Sequence, residues 1–231
     1  MNGITVLVAT RERPRQALLT LKSFEETKVL PQSKIVFGID ANEPYHNSYR
    51  NMLLNHGGTL YRAEPEDSGS LTKVTNALAT AYPDYILASV GDDHRFRTTG
   101  WDASIALALR EKPGVAYGDD LYMRQALPTA AFVSGSIVSA LGWMCLPTLD
   151  HMYVDNVWRD IGSELGSLHY LGNVVIEHLH YTNGKSIMDT SYQRTNSKAQ
   201  FAKDLAAYEQ WRTNQMAADI DSIRNYIGQK T

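Results

Sequence analysis

The chain has 231 residues, a formal net charge of −3 and 43% hydrophobic residues. That is enough for one domain with a sizeable core, and too acidic for a strongly basic nucleic-acid platform. A lone cysteine, Cys145, allows no internal disulfide, and no run reaches the about 18–20 apolar residues of a membrane span, so a cytoplasmic protein without a leader is expected. Ile4 to Ala9 is a β-branched run that reads as a buried first strand. It breaks at Thr10-Arg11-Glu12-Arg13-Pro14, where Pro14 suits a first helical turn because its missing N–H costs nothing there. Leu18, Leu19, Leu21 and Phe24 follow at helical spacing. Ile35 to Ile39 predicts a second strand ending at Asp40, Tyr45 to His56 a helix stopped by Gly57-Gly58, and Thr59 to Arg62 a weak third strand. Gly69 or Ser70 opens a helix with Leu71, Val74, Ala77 and Leu78 on one face. Tyr85 to Val90 reads as a buried strand that ends on Gly91 and two adjacent carboxylates, Asp92 and Asp93.

Beyond the acid pair, Trp101 to Arg110 predicts an amphipathic helix. Val115 to Tyr117 predicts a strand, followed by a second acid pair, Asp119-Asp120, and by Leu121-Tyr122-Met123 as a hairpin arm. Ala130 to Val133 returns as a strand, Ser134-Gly135-Ser136 opens a short apolar helix to Trp143, and Cys145 sits in an apolar run near Trp143 as a buried thiol. Asp150, Asp155 and Asp160 crowd a plausible helix start. Val174 to His180 predicts a late strand with His178 and His180 on one face, then a polar loop through Lys185. From Tyr192 to Ile227 the pattern is helical, and Phe201, Leu205, Tyr208, Trp211 and Met216 form a stripe for core packing or a homo-oligomer contact.

Strand and helix alternate, which predicts an α/β fold: a mostly parallel central sheet with helices on both faces. Such a sheet brings Thr10, Asp40 and Asp92-Asp93 to one carboxyl edge, where open α/β sheets bind ligands. Adjacent carboxylates repel unless a proton or cation joins them, and hard oxygen ligands suit Mg²⁺ or Mn²⁺. Arg11 and Arg13 supply charge for phosphate, and Asp40 an acceptor for a base N–H or ribose hydroxyl. The alternative for a lone acid pair is a solvated turn that caps the next helix.

Val6-Leu-Val-Ala-Thr-Arg-Glu-Arg-Pro14, Asp40 and Gly91-Asp92-Asp93 resemble family-2 glycosyltransferases of the GT-A fold, well over residues 4 to 100 and more loosely beyond. Two departures stand out: Gly38-Ile-Asp-Ala-Asn-Glu43 replaces the usual acid and serine cluster, and in Gly91-Asp92-Asp93-His94 only the second and third positions of the metal motif are acidic. The resemblance implies one Rossmann-like domain over residues 1–231, with a nucleotide-sugar half (1–100), an acceptor and catalytic half (101–190) and a C-terminal helical segment (191–231). It implies Asp93 as the metal ligand, joined by His178 or His180 from the late strand, and Asp92 as a contact to ribose or to a metal-bound water. Asp119-Asp120 is the rival metal pair. Thr10, Arg11, Arg13, Asp40, Lys73 and Asn76 would border the nucleotide, and Lys185 with Arg194 would close on the diphosphate from a mobile loop.

The activity implied is inverting, Mn²⁺- or Mg²⁺-dependent transfer from a nucleoside-diphosphate sugar, a UDP-sugar first, to an acceptor hydroxyl on a glycan, small molecule or modified DNA base. Asp155 is the expected base, and Asp150 the runner-up if it is more than an N-cap. Two other readings stand beside this one. A sugar-phosphate nucleotidyltransferase would want a glycine-rich activating loop, which Thr10 to Pro14 lacks. A non-catalytic nucleotide-sugar or carbohydrate-binding module would need no base.

Overall fold

The computed structural model describes residues 3–186, 188–195 and 197–229, apart from the side chains of Thr190, Ser191 and Arg194. In chain order the elements are β1 (Ile4–Ala9), α1 (Pro14–Thr27), β2 (Lys34–Ile39), α2 (His46–Leu54), β3 (Thr59–Arg62), α3 (Leu71–Ala81), β4 (Ile86–Ser89), β5 (His94–Phe96) and α4 (Trp101–Ala108). They continue with β6 (Val115–Asp119), β7 (Ala131–Ser134), α5 (Gly135–Leu141), α6 (Val154–Glu164), β8 (Leu168–His178), α7 (Thr190–Thr195), α8 (Lys198–Asn214) and α9 (Met216–Gly228).

The strands form one sheet in the order β3-β2-β1-β4-β7-β6-β8-β5. The first four are parallel, as are β6 and β8, while β7 and β5 run against their neighbours. The expected parallel core with helices on both faces is thus present. Alternation along β1 feeds both faces: Ile4, Val6 and Val8 enter one core and Leu7 the other. The first core takes Leu21 and Phe24 of α1 and Tyr49 of α2, and it centres on buried Trp101, whose ring lies 4.6 Å from Phe96 and 5.4 Å from Phe132. The second takes Val74 and Leu78 of α3, Trp158 and Ile161 of α6, and Ile220 and Ile223 of α9. Each such large side chain, removed from water, stabilises by about 1.5–3 kcal/mol.

Local signals set the helix starts. Pro14 occupies the first turn of α1, and the Ser70 hydroxyl accepts from the Lys73 N–H to cap α3. Asp150 caps nothing: α6 begins at Val154, and the Asp150 carboxylate pairs with Lys203. Leu121-Tyr122-Met123 is not a hairpin arm. The Asp120 carboxylate accepts from the Tyr122 and Arg124 N–H groups at 2.9 and 2.7 Å, curling the chain into a turn in which Leu121 and Arg124 take positive φ. The C-terminal stripe divides, with Tyr208 and Trp211 buried and Phe201 and Leu205 exposed. No helix among the described residues is long and apolar enough to cross a membrane.

The late strand starts at Leu168, six residues before its apolar run, and stops at His178. Gly118 pairs with Leu171 but Asp119 with Val175, so Gly172, Asn173 and Val174 bulge from β8. Beyond the bulge β8 pairs with β5, setting His178 opposite His94. Gly118 permits this close passage, because a Cβ there would sit 2.3 Å from the Val174 carbonyl oxygen. Gly118→Ala should therefore destabilise the protein by about 1–3 kcal/mol, as overpacking does. Chemical denaturation of the variant checks this, and a wild-type midpoint would show that the bulge yields freely.

Candidate active site

A cleft of about 660 Å³ opens where β1, β2 and β4 end, with Thr10, Arg13, Asp40, Asp92, Asp93 and Asp155 on its walls. The parallel run of those strands is what delivers the first five to one edge.

Asp92 turns back towards β1. Its carboxylate accepts from the Thr10 hydroxyl at 2.6 Å and pairs with Arg13 at 3.2 Å. Burial nonetheless pushes its pKa up, Arg13 opposes that, and Asp93 adds repulsion. The Tyr49 hydroxyl from α2 meets Thr10 at 2.8 Å and accepts from the Arg13 N–H at 2.8 Å, fixing the loop.

Asp93 turns the other way, towards the histidines. One of its oxygens lies 3.2 Å from His94 Nδ1, and the other lies 3.4 Å from His178 Nε2 and accepts from the Tyr192 hydroxyl at 2.7 Å. Burial pushes Asp93 up, but His178 and His94 outweigh it and hold the carboxyl well below its usual range. Burial lowers His94, with His178 adding to it; for His178 burial also lowers the pKa, but Asp93, joined by Asp155 and Asp120, outweighs it and raises the pKa. The donor atoms of Asp93, His94 and His178 lie within 4.8 Å of one another. Both ring nitrogens of buried His94, and Nδ1 of His178, have no hydrogen-bond partner among the described residues. A carboxylate ringed by orphaned imidazole nitrogens is a donor set that fits a divalent cation.

The turn beneath these side chains is clamped from below. Buried Arg95 donates to the Asp92 and His94 carbonyls at 2.9 and 2.7 Å, and the Thr20 hydroxyl donates to the Asp92 carbonyl at 2.7 Å. The His178 N–H donates to the Asp120 carbonyl and the Leu179 N–H to that of Asp93, which fastens the end of β8 to both acid turns.

Asp155 lies in the first turn of α6. Burial raises its pKa to about 7, with Asp120 and Asp93 adding repulsion against the pull of His178. Arg11 pairs with Asp40 at 2.7 Å, and Asp40 also accepts from the Gly69 N–H at 2.8 Å. Arg13 forks onto Asp189 at 2.7 and 2.6 Å and lies 4.0 Å from the centre of the Tyr192 ring.

Several expected residues stand elsewhere. His180 borders the cleft, but it lies past the end of β8 and outside the Asp93 cluster; its Nδ1 meets the Thr182 hydroxyl at 2.7 Å, and burial lowers it to about 4. Lys73 is exposed and reaches the Glu66 carbonyl, while Lys185 pairs with Glu177 at 2.7 Å; neither borders the cleft. The Arg194 side chain lies outside the described residues. Asp119 accepts from the Leu121 N–H and Asp120 from three donors including Thr129, so the second acid pair serves a turn. Sequence reasoning missed His94 as a donor, although it adjoins the acid pair, and it missed Asp189 and Tyr192, which no local signal marks.

Asn76 is the plainest correction. Its carbonyl oxygen accepts from the Met144 and Cys145 N–H groups, each at 2.8 Å, and its amide donates to the Cys145 carbonyl at 2.8 Å. It clasps α3 to the segment after α5 and does not line the cleft. Asn76→Ala strands these backbone groups and should cost about 1–3 kcal/mol while leaving nucleotide-sugar affinity unchanged. Thermal melts and calorimetry check the two halves, and lost affinity in a folded variant would return Asn76 to the nucleotide.

No family model and no curated protein matches the chain. Solved structures do. The mannosyltransferase PcManGT from Pyrobaculum calidifontis, in complex with GDP-Man and Mn²⁺, is 12% identical over 99% of this chain and 74% of its own, with a TM-score of 0.65. Glucosyl-3-phosphoglycerate synthase from Mycobacterium tuberculosis, with Mn²⁺, UDP-glucose and glycerol 3-phosphate, is 11% identical over 89% of this chain and 79% of its own, at a TM-score of 0.64. S. aureus TarS 1-349 in complex with UDP is 11% identical over 75% of this chain, at a TM-score of 0.60. The match spans 36% of the longer TarS chain and 59% of that fragment. At such identities the likeness is one of architecture, and the architecture is the single-domain, Rossmann-like GT-A fold.

Proposed function

We propose that the chain is an inverting glycosyltransferase of the family-2 type, moving a sugar from a nucleoside-diphosphate sugar, a UDP-sugar first, to an acceptor hydroxyl. The observation that carries this reading is the pairing, in one cleft, of the Asp93–His178 cluster with Asp155, a carboxyl whose pKa burial raises to about 7. The fold's neighbours support it, since structures of that shape were solved with UDP, UDP-glucose or GDP-Man and with Mn²⁺ or Mg²⁺.

In this reading residues 1–100 hold the donor and 101–190 serve the acceptor. A divalent cation held by Asp93 and His178 would supply the Lewis acid that offsets charge on the departing diphosphate. Asp40, paired with Arg11 at 2.7 Å, accepts from the base or ribose. Arg13 offers its fork to a phosphate oxygen once it leaves Asp189. Asp155 takes the proton of the acceptor hydroxyl as the new oxygen–carbon bond forms and the anomeric carbon–phosphate oxygen bond breaks. Attack from the face opposite the leaving group inverts the anomeric centre. The acceptor class is open among a glycan, a small molecule and a hydroxylated base.

A base with a pKa of about 7 must be ionised to act, so transfer should rise as pH passes upward through that value. Asp155→Asn should lower transfer by about 10²- to 10⁴-fold and leave donor affinity unchanged. Asp150→Asn, whose carboxylate meets only Lys203 and Gln200 among the described side chains, should keep near-normal turnover. Nucleoside-diphosphate release from UDP-sugars with an acceptor panel measures all three. Full activity in Asp155→Asn would move the base elsewhere, whereas no release by wild type with any donor would favour the binding-module reading.

A further inference from the structure

The Asp93 cluster contains one more donor than the function above requires. His94 is 2% exposed, and neither of its ring nitrogens has a hydrogen-bond partner among the described residues. A buried histidine with a packing role ordinarily spends at least one ring nitrogen on a backbone or side-chain partner. His94 spends neither, although Nδ1 stands 3.2 Å from a carboxylate oxygen of Asp93.

Its position follows from the sheet. The antiparallel β5–β8 register sets His94 directly opposite His178. The two rings stack with centroids 4.1 Å apart and planes 17° from parallel, and donor atoms of both converge on Asp93. His180, the other expected histidine, is engaged with Thr182 and stands outside this group.

We propose that His94 is a protein ligand of the cation together with Asp93 and His178, and that this one-carboxylate, two-imidazole set selects a first-row transition-metal dication over Mg²⁺. The proposal rests on the reading of a metal-assisted donor site given above. Mg²⁺ keeps oxygen ligands and its waters, whereas imidazole nitrogen suits the transition metals; a carboxylate with two histidines and open positions is a common transition-metal set. Removing His94 takes away one of two nitrogens and so should narrow the gap between the metals.

Mn²⁺ is the probe. Pulsed electron paramagnetic resonance of the Mn²⁺-loaded wild-type protein with UDP should show couplings from two imidazole nitrogens, and His94→Gln should show one. Calorimetry should find Mn²⁺ affinity in His94→Gln lower by at least about 10-fold, the lower end for losing even an outer-shell partner of a metal site, with a smaller change for Mg²⁺. The wild-type spectrum decides the matter even if the variant fails to fold. A single nitrogen coupling in wild type would overturn the role of His94 and leave the metal-assisted reading standing. Equal wild-type affinities for Mn²⁺ and Mg²⁺ would overturn the selectivity. No Mn²⁺ binding at all would overturn this proposal and the metal half of the functional reading together.

Discussion

Two adjacent carboxylates, Asp92 and Asp93, are held at the end of β4 largely away from water, and each must be compensated. An uncompensated charge in such a place costs several kcal/mol. The chain resolves this by turning the two in opposite directions. Asp92 faces the loop after β1 and takes Thr10 and Arg13; Asp93 faces β8 and α7 and takes His94, His178 and Tyr192. Three segments remote in sequence, the loop after β1, the end of β8 and α7, therefore meet on two neighbouring residues. The clamp by Arg95 and Thr20 on the main chain below fixes where those two carboxylates point.

Compensation is unequal, and the inequality has chemical content. Asp92 is buried with one oxygen on Thr10 and the other on Arg13, a tie between the turn after β4 and the loop after β1. Asp93 is held ionised by His178 and His94, whose ring nitrogens at His94 Nδ1 and Nε2 and His178 Nδ1 have no hydrogen-bond partner among the described residues. Across the cleft, Asp155 stays basic enough to take a proton because burial and like charges disfavour its ionised form. Three carboxyl groups in one cleft thus acquire three different environments.

Much of the fold was legible because its signals are local. The β-branched runs of β1 and β2, Pro14 at the head of α1 and the Ser70 cap of α3 each state a backbone preference within a few residues. The sheet edge was legible too, since a parallel strand that ends in an acid has one place to deliver it. β5 was not, because three residues carry no period; nor was the start of β8, where a bulge interrupts alternation. Among the expected site residues, Asp93, His178 and Asp155 line the cleft, whereas Lys73, Lys185 and Asn76 do not. Helical spacing locates a side chain on a face but cannot show that Asn76 faces the Met144–Cys145 backbone. Asp119-Asp120 looked like a metal pair, and only the turn geometry reveals that its oxygens serve backbone N–H groups. Tyr192 reaches Asp93 across 99 residues and Asp189 reaches Arg13 across 176, both from a polar stretch with no pattern, so nothing in the sequence could connect them.

The central claim is that Asp93 couples a divalent cation to the donor. Calorimetric titration of UDP- and GDP-sugars into wild type and Asp93→Asn, with and without Mn²⁺, tests it most directly. Donor binding should require Mn²⁺ in wild type and lose that requirement, along with most of its affinity, in Asp93→Asn. Equal, metal-independent affinity in both proteins would contradict it.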